Sequence, residues 1–200
     1  VSSVAFPASL KTLGPQALLR CLQLRRIDLS HTRLTTLAPF FAVGCSALAE
    51  VVLPKTLRSI GDLVFVSCPS LTSVAVPPGV RTIGSDFLCK SGVVDITLPA
   101  SLQTLGPQSF RECPQLKRID LSRTQLAHLA DHFASVCGGL TDVSFPVTLT
   151  SIGDGALFGC PRLAVIDLSE TSVFIRPPVF FHISDPERTT ATVRDSPVGS

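Results

Sequence analysis

The 200-residue chain contains no Trp, Tyr, Met or Asn. Without Asn it holds no N-glycosylation acceptor. Long apolar runs are missing too. Pro, Gly, Ser and charged residues interrupt every window short of the roughly 18 consecutive apolar residues that a membrane helix requires, so the sequence holds no membrane-spanning segment. Neither charge sign dominates: 17 basic and 15 acidic residues give a net charge of +2, and their scatter leaves no electrostatic footprint for nucleic acid or anionic lipid. No CxxC, nucleophile elbow or phosphate loop occurs, which removes the local signatures of metal, hydrolase and nucleotide sites. The N-terminus offers no initiator Met, basic segment or apolar leader, so it names no compartment. Opening on a bare repeat without a polar cap leads us to expect further repeats or another domain before Val1.

What is present is 45% hydrophobic residues against 16% charged ones, a globular balance, arranged in one pattern recurring about every 23 residues. About eight units of 22–24 residues, over residues 1–175, begin at Val1, Leu24, Leu48, Leu71, Val93, Leu116, Leu140 and Leu163. Each opens apolar-x-x-apolar-x-apolar, as in Leu24-Ile27-Leu29. Such alternation predicts a short strand with one face buried, and stacked units then form a parallel sheet. Pro7, Pro54, Pro77, Pro99 and Pro146 follow the strand in five units, where a residue lacking an N–H suits the end of a ladder; Ser30, Ser122 and Ser169 stand there in the other three. Two further apolar positions follow, then Gly14, Gly61, Gly84, Gly106 and Gly153, read as residues free to take a positive φ and turn the chain into a return segment. That segment is expected to be a short helix whose inward residue is large: Leu18, Phe41, Phe65, Phe87, Phe110, Phe133 or Leu157.

Ser9, Thr32, Thr56, Ser101, Thr124, Thr148 and Thr171 form a hydroxyl column broken by Gly79, expected to bond turn backbone that the sheet leaves unpaired. A longer period overlies the short one. Residues 7–48 match 99–140 at an offset of 92, with about 25 of 42 positions identical, which reads as tandem duplication of a four-repeat block. The segment 176–200, rich in Pro, Ser, Thr and charge, is expected to form a C-terminal cover followed by a mobile tail.

The unit L-x-x-V-x-L-P-x-x-L-x-x-I-G-x-x-x-F-x-x-C, as in Leu48 to Cys68, resembles the BspA-like leucine-rich repeat. This resemblance covers about residues 1–173. It implies an α/β repeat solenoid, right-handed, with a parallel sheet on its concave face and short helices or turns on the return side, used for protein binding. Surface antigens and adhesins are among the family's members. The three Ile-Asp-Leu-Ser units depart from its Pro form and carry one extra residue before the second Leu.

No catalytic residue, cofactor or metal site emerges. The cysteines at 21, 45, 68, 89, 113, 137 and 160 occur once per unit, on the inward side, and read as small buried thiols; unpaired thiols lean toward a reducing compartment, against the surface role. His128 and His132, beside Asp131, would share a helical face at metal-ligand spacing, but a third strong ligand is lacking and exposed return-side histidines are the preferred reading. His31 and His182 have no partner. The expected activity is non-enzymatic binding of a protein, not nucleic acid. The surface expected to do it is the concave face: Arg26, Asp28, Glu50, Asp95, Arg118, Asp120, Asp142 and Asp167, with Arg26/Asp28 and Arg118/Asp120 as a pair of like sites able to engage a partner bivalently. The alternatives are an intracellular scaffold or the recognition domain of a larger regulatory or enzymatic protein.

Overall fold

The computed structural model describes residues 2–163 and 166–173; the cover segment and tail expected at 176–200 lie outside them. A full coil carries two short strands rather than the single one expected, as in the coils from Leu24, Leu48, Val93, Leu116 and Leu140. The first, or front, set comprises Ser3–Val4, Arg26–Asp28, Glu50–Val52, Asp95–Thr97, Arg118–Asp120 and Asp142–Ser144. The second, or side, set comprises Thr36–Leu37, Ser59–Ile60, Thr82–Ile83, Thr104–Leu105, His128–Leu129 and Ser151–Ile152. All pairings are parallel and in register from coil to coil, for example Arg26 with Glu50 and Ser59 with Thr82. A chain that pairs only with its own next coil has no other option, since parallel neighbours need a long crossover and the rest of the coil supplies it.

Interruptions in both sets trace to sequence. The unit at residues 71–77 has the alternating pattern, and Val74 is buried, yet no front strand forms there. Pro77 and Pro78 close this unit, and proline and its predecessor have restricted backbone freedom. The side sheet breaks where an Ile-Asp-Leu-Ser coil brings its extra residue. Arg33, Gln125 and Ser172 each donate their N–H to the second apolar carbonyl of the coil before, Leu10, Leu102 and Leu149, so the ladder is offset and starts afresh. The unbroken part of the side sheet is therefore the four strands from Thr36 to Leu105.

The return side corrects the expectation of short helices: among the described residues there is none. Alternate N–H groups point along the solenoid axis into the next coil, as in Gln16 to Pro39 O, Leu18 to Phe41 O and Arg20 to Val43 O, at 3.2, 2.9 and 2.7 Å. Groups committed to a neighbouring coil cannot close an i to i−4 helical ladder. The path needs two left-handed residues per coil, four apart: Gln16 and Arg20, Phe40 and Gly44, Leu63 and Ser67, and so on to Gly155 and Gly159.

The recurrent glycines from Gly14 to Gly153 are not among them, a second correction. From Gly61 onward these glycines serve close approach. A Cβ on Gly106 would sit 2.5 Å from the backbone of Gly84 and Ser85 in the preceding coil, and one on Gly61 would sit 2.9 Å from Leu37 O. Only glycine allows the coils to stack so tightly there.

Front strands bury Ile27, Val51, Ile96, Ile119 and Val143, side strands bury Leu37, Ile60, Ile83 and Leu105, and the return segment adds a phenylalanine spine. Successive spine residues alternate between two adjacent positions. Phe41, Phe87 and Phe133 occupy the first, with Ala42, Leu88 and Ala134 after them; Phe65 and Phe110 occupy the second, with Val64 and Ser109 before them. The stagger lets large rings interleave with smaller side chains; Phe41–Phe65 and Phe110–Phe133 meet edge to face, at 6.2 Å and 84° and at 5.4 Å and 88°, and Phe65–Phe87 is tilted at 58°.

Candidate interaction surface

The side chains between the buried residues of the front strands point out of the coil. Arg26, Glu50, Asp95 and Arg118 are exposed and Asp28, Asp120 and Asp142 half-buried. The register collects them into two clusters rather than one continuous row. In the first, Arg26 bridges Asp28 (3.1 Å) and Glu50 of the next coil. In the second, Asp95, Arg118 and Asp142 lie on one line across three coils, and the Arg118 guanidinium bonds Asp142 at 2.8 Å. Ser73 and Ala75, in the coil without a front strand, separate the clusters. Asp167, in the last described coil, belongs to neither pair. An open depression of about 320 Å³ at the first cluster is lined by Ser3, Val4, Phe6, Arg26, Asp28 and His31 among others.

The aspartates of the Ile-Asp-Leu-Ser units have a structural duty that sequence reasoning missed. Asp28 accepts hydrogen bonds from Ser30 Oγ (2.7 Å) and Ser30 N (3.0 Å), and Asp120 does the same with Ser122 at the same two distances. Asp167 accepts from Ser169 N. An Asp two residues before a Ser is a turn-capping signal, and it was visible in the sequence. The Ser30 hydroxyl, the Ser30 N–H and then Arg26 hold the Asp28 carboxyl down at about 2. Glu50 first and Asp28 second raise the Arg26 guanidinium, and Asp142 raises that of Arg118.

The hydroxyl column bonds turn carbonyls in two modes. In the Ile-Asp-Leu-Ser coils Thr32, Thr124 and Thr171 donate to Leu29 O, Leu121 O and Leu168 O of their own coil, each at 2.7 Å. In the proline coils Thr56, Ser101 and Thr148 reach back to Leu34 O, Val80 O and Leu126 O of the preceding coil. Where Gly79 interrupts the column, Arg58 of the coil before takes over: its Nη1 donates to Leu57 O at 2.9 Å and Lys55 O at 3.2 Å, next to where a Gly79 Cβ would lie.

All seven cysteines are free and six are buried. Five of the thiols donate to carbonyls of the preceding coil, among them Cys45 to Leu18 O, Cys113 to Leu88 O and Cys137 to Phe110 O, at 3.0–3.1 Å. Burial pushes Cys68 and Cys89 up to about 12, so these thiols stay protonated and unreactive. His128 and His132 share no helical face. The first stands on a side strand with Nδ1 2.6 Å from Ser151 Oγ, and the second in a left-handed turn. Among the described residues no group of three His, Cys, Asp or Glu could hold a metal ion, and no helix is long and apolar enough to cross a membrane.

No curated protein matches the chain in sequence. Among solved structures, a leucine-rich repeat protein of T. pallidum is 30% identical, with a TM-score of 0.74 over 81% of this chain and 78% of its own. Leucine-rich repeat proteins from Bacteroides ovatus (21% identity, TM-score 0.64, 82% of this chain and 51% of that one) and Eubacterium ventriosum (15%, 0.58, 88% and 61%) share the fold. A family model described as the BspA type leucine rich repeat region matches in six copies, over residues 1–92 and 64–185. With parallel coils throughout and that match over most of its length, the chain belongs to the BspA-type leucine-rich-repeat family.

Proposed function

We propose that the chain is a non-enzymatic binding module that engages a protein partner through the outward face of its front strands, as part of a surface antigen or adhesin. Leucine-rich repeats are a fold generally used for protein interaction, and solenoids offer extended surfaces whose side chains are free of packing duties. The observation that carries the reading is the Asp95–Arg118–Asp142 line: charged groups held in register on strands whose alternate residues are buried in the core. Exposed pairs of this kind contribute little to stability, about 0–1 kcal/mol each, but they set the orientation and association rate of a partner.

The test is a pull-down from source-cell or host extract with the natural chain and with a variant carrying Arg26→Glu, Asp28→Lys, Arg118→Glu and Asp120→Lys, after urea unfolding has shown both folded. A protein captured by the natural chain and lost by the variant is the expected result. Identical capture by both would reject the front face as the binding surface.

A further inference from the structure

The return segments form a surface of their own. Three N–H groups per coil donate to carbonyls of the next, from Gln16 to Pro39 O through Val136 to Phe158 O, so this face rises at the hydrogen-bonded spacing of the front strands and is not splayed. Its outward side chains stand in columns fixed by the two left-handed positions of each coil. Four of the six exposed large apolar side chains among the described residues lie here: Leu19, Phe40, Val136 and Phe158. They fall into two groups. Phe40 with the half-buried Val43, Leu63 and Val66 belongs to the coils from Leu24 and Leu48, and Val136 with Phe158 to those from Leu116 and Leu140. A charged belt runs between the groups, Asp86 and Lys90 in one coil and Arg111 and Glu112 in the next. Within it Glu112 is bridged by Arg111 at 3.0 Å and by Lys90 at 3.5 Å.

We infer that this face pairs with the same face of a second copy, the two solenoids antiparallel. A two-fold axis along the return segments, midway between the coils of Lys90 and Glu112, keeps every residue in its column and reverses the order of the coils. Lys90 and Glu112 share the second left-handed column, so each Lys90 then faces Glu112 of the other copy. The same operation lays Val43 against Phe158, and Leu63 and Ser67 against His132 and Val136. Gly44 falls opposite Gly159, which leaves room for the Phe158 ring. Charge selects this register: an axis through either belt coil would set Lys90 against Lys90 or Glu112 against Glu112. Lys90 is 54% exposed, and an ammonium with three donors can hold its own Glu112 and a second one. The belt holds two acids and two bases between the apolar groups, so a lipid surface covering both groups would bury those charges unpaired. Pairing here leaves the front strands of both copies uncovered, so the inference goes beyond the binding role proposed for them.

Sedimentation equilibrium of the natural chain over a concentration series tests the inference, and a concentration-dependent dimer is the expected result. A chain still monomeric at about 1 mM would bind itself more weakly than that and overturn it. Phe40→Asp probes the apolar group. Aspartate accepts left-handed backbone more readily than phenylalanine, so the fold is kept, and the dimer should weaken at least about tenfold, the share of one large apolar side chain. Mixing charges probes the register. Lys90→Glu and Glu112→Lys, each alone, place like charges across the axis twice and should each weaken self-association at least about tenfold. In an equimolar mixture the two variants place opposite charges at both points, and a heterodimer should form about as tightly as the natural dimer. Urea midpoints show that each variant is folded. Arg26→Glu with Arg118→Glu should leave the dimer constant within about twofold, as expected of distant sites, which separates this surface from the front face. A dimer undiminished by Phe40→Asp, a mixture no better paired than its separate variants, or an equal loss from the front-face variant would overturn the inference.

Discussion

Residues 7–48 and 99–140 are two copies of one sequence block, and the structure repeats some of their contacts and not others. Interior contacts recur residue for residue: Cys45 to Leu18 O at 3.1 Å and Cys137 to Phe110 O at 3.0 Å, and Thr32 and Thr124 each 2.7 Å from the carbonyl three residues back. The recurrence runs past the best-matched stretch, since Cys68 to Ala42 O and Cys160 to Ala134 O are 3.3 and 3.2 Å. Surface contacts diverge. The identical triplet Arg-Ile-Asp makes an internal pair with Asp28 and a second with Glu50 in one copy, but only a forward pair with Asp142 in the other. Its neighbours explain this: Arg26 lies in register with Ser3 and Glu50, and Arg118 with Asp95 and Asp142. Interior geometry follows from the period, whereas the surface is set by which side chain the adjacent coil supplies.

The strongest way to break the equivalence of the two copies is in the spine. Phe110 is fully buried between Phe87 and Phe133, whereas its counterpart Leu18 lies in the first coil and is 8% exposed. Truncating a buried phenylalanine costs about 3–5 kcal/mol. Phe110→Ala should fall in that range, and Leu18→Ala should cost about 2 kcal/mol, because the side chain removed is smaller and slightly exposed. Urea midpoints would measure both. Equal losses would mean that Leu18 is held as firmly as Phe110.

A smaller difference sits on the return side. Gly44 has φ +71° and its counterpart Val136 has φ +60°. A β-branched residue is a genuine outlier in that region, and left-handed backbone costs an L-residue about 1–2 kcal/mol. Val136 is 46% exposed, so little packing is lost on its removal. Val136→Gly should therefore stabilise the protein by up to about 1 kcal/mol, after the entropy that glycine gives back to the unfolded chain. The reverse test is Gly44→Ala, whose Cβ meets only Arg20 Cγ at 3.4 Å, so its expected loss of about 1–2 kcal/mol would report mainly the backbone conformation. A destabilised Val136→Gly would show that the valine methyls pack usefully after all.

The coil, its length and its buried columns were legible because period and apolar pattern are local properties of the sequence. The second strand was missed because Thr36-Leu37 and Ser59-Ile60 are two residues long, too short for alternation to register. The helix was wrongly expected because the return segment carries its apolar residues at helix-compatible spacing, while the competing demand of the next coil's carbonyls is a property of stacking. Glycine was read for turning when it serves packing, and the true left-handed positions hold residues as unpromising as Leu63 and Val136. As for the site, the sequence named every charged residue of both clusters and could not say which would pair, since Glu50 and Asp142 reach their arginines only through the register. The Arg58 contact at Gly79 was beyond reach for the same reason.

The finest separation of the two copies concerns one carboxylate. Asp28 is held by Ser30 and by Arg26, whereas Asp120 is held by Ser122 with its arginine bonded to Asp142 instead. Because the folded-state value of Asp28 is depressed to about 2 from 3.8, its contribution to stability is fully present above the unfolded value and is lost as pH falls from about 4 to about 2. Arg26→Ala would leave Asp28 with its serine alone, the arrangement of Asp120. The Ser30 hydroxyl lowers the carboxyl most and Arg26 less, so an NMR titration of the Asp28 carboxyl should find its midpoint raised further by Ser30→Ala than by Arg26→Ala. The opposite order would make the ion pair, a surface contact that the copies do not share, the main hold on this aspartate. The turn cap that they do share would then be secondary.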